Sequence, residues 1–272
     1  MKLPVSAAAI RKLVREVDAS AAGEHFLAVG GANGLASVLR QQLLRGRAAP
    51  GAVRLGAPDG ADVYVHVLAG EPGENDVAVL RRARRARVPV IAVAVGLADQ
   101  DATIPYVLAT DVVCVEAGVD VPLESIVRVI AARLGEQGAM LAGRVPLLRA
   151  AVCEQLVSSF ARRNGTLGAA VWIRGVDFPV LTLNQFRLVL RLAQAYGSPG
   201  ARERLPELAA TLGAGLGLRA LARELLDLAP AGGWVVKGAV AYGGTKAIGE
   251  AARQRFASIA TPQPAAASPG AP

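Results

Sequence analysis

The sequence predicts an α/β domain, a parallel sheet with helices on both faces, followed by an all-α helical domain. Three observations predict it. Between residues 25 and 135, short apolar runs rich in β-branched residues alternate with helix-period segments, as strands and crossover helices do in a parallel sheet. From Gln137 onward the strand signals stop, and only helix-period segments follow. Charge divides at the same place: residues 1–135 carry 15 basic and 14 acidic side chains, residues 136–272 carry 15 and 8. A chain of 272 residues is long enough for about two domains. The expected divisions are an amphipathic helix in 1–22, the α/β domain in 23–135, the helical domain in 136–257 and a disordered tail rich in Pro, Ala and Ser in 258–272.

In chain order, residues 4–18 place Ile10, Leu13 and Val14 on one helix face with Arg11, Lys12 and Arg15 beside it, a helix expected to lie against the following domain. Strands are predicted over 25–29, weakly over 52–55, and over 63–68, 88–95 and 112–115. Helices are predicted over 33–44, 76–86 and 122–134. The run 88–95 has the β-branched character of a strand buried on both faces. In such a sheet a ligand sits beyond the carboxyl ends of the strands, so the loop after the first strand is the place to look.

That loop, GGANGLAS over 30–37, resembles the phosphate loop of GTPases when aligned on Gly30, Asn33 and Gly34. A phosphate loop wraps phosphates in backbone N–H groups, reaches them with a lysine and binds magnesium through a hydroxyl. Here the loop is a residue short, Leu35 stands in the lysine position and Ala36 in the hydroxyl position. The guanine-reading element is reduced to Asp99, and the stretch 44–61 is too short for two switch regions. The resemblance therefore implies a degenerate GTPase-like domain with Gly30, Asn33, Gly34 and Asp99 as a vestigial nucleotide site, without hydrolysis because the groups that stabilise a transferred phosphoryl are missing. No cofactor is expected; the alternative is weak GTP binding at those four residues, helped by free donors at the start of the helix.

In the second half, the stretch DFPVLTLNQFRLVLRLAQAYG over 177–197 organises the rest. Pro179 pushes Phe178 away from helical geometry, and Thr182 with Gln185 fits a capping box, so the helix is predicted to begin near Thr182. Gly197 is its left-handed stop. Phe186, Val189, Leu190 and Ala193 share an apolar face, and Arg187, Arg191 and Gln194 share another. Two readings stand: a buried helix with a polar edge, or a face on which Asn184, Gln185, Arg187 and Arg191 meet a partner or an anionic surface. Before this helix, 147–160 is predicted helical with a break at Arg162, Arg163, Asn164 and Gly165. After it come helices over 205–228 and 234–256. Ala209, Gly213 and Gly217 lie four apart, as do Ala241, Thr245 and Gly249. Such spacing lets helices approach closely, as a tight bundle in water or a pairing seam in lipid, and admits a homo-oligomer through these seams.

The segments PVLTLNQFRLVLRLAQAYG, GLGLRALARELL and VVKGAVAYGGTKAIGEAA, within residues 136–257, resemble the YcjF-like family of domains of unknown function. The resemblance implies a helical domain behind a GTPase-like one, membrane association, and no catalytic residues to carry over.

Composition narrows the function classes. No uncharged apolar run approaches the ~18 residues that a spanning helix needs. The first residues return to Arg and Lys too soon for a signal peptide, which favours a reducing cytoplasm. Cys114 and Cys153 read as small buried hydrophobes rather than a disulfide or a metal set, and no metal is expected. His25 reads as structural and His66 as a core histidine with a satisfied ring. No triad, carboxylate pair or ligand cluster proposes an active site. The run Arg81, Arg82, Arg84, Arg85 and Arg87 reads as a solvated helix face; nucleic-acid binding through it is the minor reading, since stacking aromatics are few. A basic helical half suits an anionic membrane surface or an acidic protein partner. The expectation is a non-enzymatic adaptor or regulatory protein at the inner face of a membrane.

Overall fold

The computed structural model describes residues 7–97, 103–170, 178–197 and 233–260. Its strands are β1 (Leu27–Gly31), β2 (Val53–Leu55), β3 (Val63–Ala69), β4 (Val90–Val95) and β5 (Val112–Val115). Its helices are α1 (Ala7–Ser20), α2 (Asn33–Leu43), α3 (Glu74–Arg85), α4 (Leu123–Leu134), α5 (Gly138–Arg144), α6 (Arg149–Ala170), α7 (Phe178–Ala195) and α8 (Gly233–Ala260). The five strands form one sheet in the order β2-β1-β3-β4-β5, and every pairing is parallel. β1 lies between β2 and β3, so connections run off in opposite directions from β1 and β3, which makes the carboxyl edge between them the switch point of the sheet.

Strand side chains alternate between two cores, as period-2 geometry requires. Val63, Val65 and Val67 of β3, with Leu27, Val29, Ile91 and Val93, face a core shared with Leu39 and Leu43 of α2 and Ile126 and Ile130 of α4. Tyr64 and Leu68 of β3, with Ala28, Ala92 and Ala94, face a smaller core closed by Leu80 and Ala83 of α3 and by Ile104. The larger core does not stop at the sheet. It continues through Leu141 of α5, Val152 and Leu156 of α6, and Phe186 and Val189 of α7 to Phe256 of α8. Leu13, Val14 and Val17 of α1 belong to it as well, each side chain contributing about 1.5–3 kcal/mol on full burial.

α3 shows why these boundaries fall where they do. The carboxylate of Asp76 accepts the N–H of Gly73 at 2.9 Å, Glu74 and Asp76 lie in the first turn, and Arg82, Arg84 and Arg85 in the last, so charge complements both ends of the helix.

Two expectations about the helical half are corrected. α7 starts at Phe178, not near Thr182: Pro179 sits in the first turn, where a missing N–H costs nothing, and Thr182 is buried inside the helix. α6 passes through Asn164 and Gly165 without a break. The reason is tertiary. A Cβ on Gly165 would lie 3.1 Å from Cβ of Tyr242, and one on Gly168 2.8 Å from Cβ of Ala241, so these glycines let α6 and α8 close on each other. Each glycine costs ~1 kcal/mol of helix propensity relative to Ala, which the packing offsets. Gly197 ends the helical region after α7 as expected, with φ +71° and its N–H donated to the carbonyl of Gln194. α8 runs to Ala260, three residues into the stretch expected as a tail. The helix predicted over 205–228, with Gly213 and Gly217, lies outside the described residues, as does Asp99.

Candidate functional site

At the switch point, one residue, Ala32, separates β1 from α2. Gly31 makes the turn with φ +98°, and the N–H of Ala32 donates to the carbonyl of Val67 at 2.8 Å, so this amide is committed to β3 rather than aimed at a ligand. A Cβ on Gly31 would lie 2.0 Å from that same carbonyl oxygen. Gly30 is required by a different neighbour: its Cβ would lie 2.2 Å from the hydroxyl of Tyr64 and 2.9 Å from the carbonyl of Gly56. Asn33 and Gly34 are exposed in the first turn of α2, and a Cβ on Gly34 would meet nothing. Both glycines of the β1–α2 turn are therefore explained by chain packing, without a phosphate.

Beneath the turn lies a polar relay that the sequence reading missed in part. Tyr64 and His66 occupy the same face of β3, and both are buried. The hydroxyl of Tyr64 is 3.0 Å from His66 Nδ1, and His66 Nε2 is 2.8 Å from Oδ1 of Asp76, whose other oxygen caps α3. An ionised Asp76 can only accept, which assigns the proton to Nε2 and leaves Nδ1 to accept from Tyr64. Burial lowers the His66 pKa against the pull of Asp76, and burial together with Asp76 pushes the Tyr64 phenol up to about 12. In both groups burial disfavours the charged form. His25 is held from both sides. Its Nε2 donates to the carbonyl of Ser20 at 3.0 Å, and its Nδ1 faces the Asp62 carboxylate at 3.1 Å.

In the helical half, Asn184 and Thr245 converge on a residue absent from the expected set, Asn164, and Gln185 joins them through Thr245. The amide of Asn164, fully buried, donates to Thr245 Oγ1 at 2.9 Å and accepts from Asn184 Nδ2 at 2.8 Å. Gln185 Nε2 reaches Thr245 Oγ1 at 3.4 Å, and that hydroxyl donates to the carbonyl of Ala241 at 2.8 Å. The network ties α6, α7 and α8 together. Gly249 lies one turn further along α8, where a Cβ would approach Val157 Cγ2 to 2.7 Å. Asn164 carried a signal in the sequence, a polar residue next to Gly165, but it suggested a break.

Arg187 and Arg191 turn to α1. Arg187 pairs with Glu16, and Arg191 Nη1 donates to Ser20 Oγ at 2.6 Å and to Gln194 Oε1 at 3.0 Å. Gln194 in turn donates to the carbonyl of Val17 at 3.0 Å. Arg191 is only 8% exposed, its Nε has no partner among the described residues, and burial, with Arg187 nearby, lowers its pKa. The run at the end of α3 is exposed: Arg82 pairs with Asp59 at 2.9 Å and Arg81 donates to the Tyr106 hydroxyl at 3.1 Å.

Cys153 is buried, with its thiol pushed up to about 12, and Cys114 is half-buried; the two do not form a disulfide. Among the described residues, no group of three or more His, Cys, Asp or Glu side chains is placed to hold a metal ion. No helix among them is long and apolar enough to cross a membrane.

Fold and site together define a class: an α/β protein with a five-stranded parallel sheet, one face of which shares its core with a bundle of helices. No family model matches the chain, and no curated protein does either.

Proposed function

We propose that this protein is a non-enzymatic adaptor or regulator that works against an anionic membrane surface at the inner face of the cell membrane, and that its α/β part is a GTPase-like domain without nucleotide chemistry. The observation that carries this reading is the β1–α2 turn. A loop of one residue, with the Ala32 amide donated to Val67, has no room to wrap phosphates, and Leu35 and Ala36 supply neither cation nor hydroxyl. The YcjF-like resemblance of the helical half and its excess of basic over acidic side chains, 15 against 8 in residues 136–272, support the membrane side of the reading.

Two measurements test it. Calorimetry with GTP and with ATP, each with and without magnesium, is expected to give no heat of binding; micromolar, magnesium-dependent binding sinks the claim of lost nucleotide chemistry. Flotation with vesicles containing phosphatidylglycerol is expected to retain the protein at low salt and release it at high salt. Retention on DNA or RNA instead, abolished by neutralising Arg84, Arg85 and Arg87, replaces the membrane with nucleic acid as the partner.

A further inference from the structure

A parallel sheet takes every strand in through one edge and lets it out through the other, and here the two edges carry opposite charge. Over residues 1–135 basic and acidic side chains nearly cancel, 15 against 14, so net charge hides the separation. Past the carboxyl ends of β3 and β5 stand Glu71, Glu74, Glu116 and Asp120, all exposed. Among the described residues, no Lys or Arg lies in the segments that leave the strands and lead to the next element. The amino edge is the reverse. The carboxylates of the segments entering the strands are each engaged: Glu24 with Arg54, Asp59 with Arg82, Asp62 with His25 and Asp111 with Arg133. Arg45, Arg47, Arg84, Arg85 and Arg87 are exposed there and make no ion pair among the described residues. They come from the ends of α2 and α3, which cover opposite faces of the sheet.

The backbone marks the same edge. Among the described residues, the non-glycine residues with left-handed φ are Arg47 at +65°, Arg87 at +57° and Tyr106 at +67°. All three lie in segments that enter a strand, before β2, β4 and β5. This conformation is disfavoured for any residue with a Cβ, and such outliers gather at binding sites. The end of α3 requires it at position 87, where the Arg87 N–H donates to the carbonyl of Arg84 and the Val88 N–H to that of Ala83. Glycine would take that place with less strain. Tyr106 accepts a hydrogen bond from Arg81, and Leu108, two residues on, is 54% exposed.

We propose that the amino edge of the sheet is the surface that lies on the anionic membrane: Arg45, Arg47, Arg84, Arg85 and Arg87 meet the headgroups, Leu108 and Tyr106 enter the interface, and the acidic edge faces away. The inference rests on the membrane reading given above and moves the contact from the basic helical half to the α/β half. Lipid fits this edge better than nucleic acid does. Leu108 offers phosphates nothing, Tyr106 is held by Arg81, and Phe26 is buried with Arg54 over its ring, so no free aromatic face awaits a base. β3 is seven residues long, about 20 Å, against a Debye length of ~10 Å at 0.1 M salt. The carboxylates of the far edge are therefore screened from a surface that the arginines touch.

The test uses the full chain and vesicles of phosphatidylglycerol with phosphatidylcholine, against phosphatidylcholine alone. R47G with R87G removes two charges and leaves at both positions the residue that a left-handed backbone prefers. The melting temperature should stay or rise, while affinity for the anionic vesicles falls about ten- to thirtyfold. Should the glycine pair lower the melting temperature, R84Q with R85Q, both exposed, makes the same charge change. L108S is expected to weaken binding several-fold. E71Q with E116Q, the opposite charge change on the far edge, should alter it by less than about twofold. Unchanged affinity of the arginine variants or of L108S overturns this edge as the contact while leaving membrane binding standing. A gain for E71Q with E116Q as large as the loss for the arginine pair does the same, since net charge alone would then decide. Absence of wild-type binding to the anionic vesicles removes the membrane reading itself. Retention of the wild type on DNA or RNA, lost with R47G and R87G, gives the edge to nucleic acid and overturns the membrane as its occupant.

Discussion

The hydroxyl of Tyr64 fills the space in which a side chain on Gly30 would sit: a Cβ there would be 2.2 Å from the oxygen. A glycine that looks like part of a phosphate loop is thus explained by a tyrosine on the neighbouring strand. G30A is expected to destabilise the fold by about 1–3 kcal/mol, the usual cost of overpacking. The penalty should shrink when Tyr64 is shortened to Leu in the same chain. Urea midpoints for the two single variants and the double variant check this; strictly additive effects would mean that Gly30 is constrained by something else.

The His66 relay sets a pH dependence. Burial lowers the folded-state pKa of His66 below its ordinary value near 6.5, so the unfolded chain takes the proton first. Stability from neutral His66 is complete above that value and is lost as pH falls towards the lower folded-state pKa. A protonated ring has no acceptor for the Tyr64 hydroxyl, which adds to the loss. Between pH 7 and 5 the unfolding midpoint of the wild type should fall more than that of H66Q. Parallel pH profiles would exclude His66 as the titrating group.

Asn164 is the hub of the helical network, donating to Thr245 and accepting from Asn184. N164A removes two hydrogen bonds, one to the buried Thr245 and one from the half-buried Asn184, and should cost about 1–3 kcal/mol. N184A touches a less buried side chain and should cost less. Chemical denaturation of the two variants gives the order.

The small-residue stripe on α8 serves contacts within the chain: a Cβ on Gly249 would meet Val157 of α6 at 2.7 Å and Leu188 of α7 at 3.1 Å. G249A is expected to lower stability by about 1–3 kcal/mol, with part of the loss recovered by V157A. If the seam instead joined two copies, the same variant would change oligomeric mass in light scattering and leave monomer stability unchanged.

Arg191 is a buried cation that, among the described residues, makes no hydrogen bond to a carboxylate, and burial lowers its pKa against the pull of Glu136. Replacing such a charge by an apolar side chain of similar length is neutral or stabilising. R191M should therefore keep or raise the melting temperature, whereas E16A, which removes the partner of Arg187, should change it by less than about 1 kcal/mol equivalent.

Much of this architecture was legible along the chain. The apolar runs ending in Val95 and Val115 became parallel strands because period-2 burial on two faces needs no knowledge of the neighbours. His66 was legible too, as a core histidine with both ring nitrogens partnered. What failed was local punctuation. Asn164–Gly165 and Thr182 read as helix-ending and helix-starting signals, yet both lie inside helices, because packing against α8 and the first-turn place of Pro179 override local preference. By itself the sequence determined which segments between residues 25 and 134 are strands and helices, and that the loop after β1 lacks a lysine and a hydroxyl, since periodicity and residue chemistry are local properties. Only the tertiary structure decided what Gly30, Asn184, Gln185, Arg187 and Arg191 face. A side chain's partner is set by which distant element folds against it, and Tyr64, Asn164 and Glu16 are brought there by the sheet and the bundle, not by their spacing along the chain.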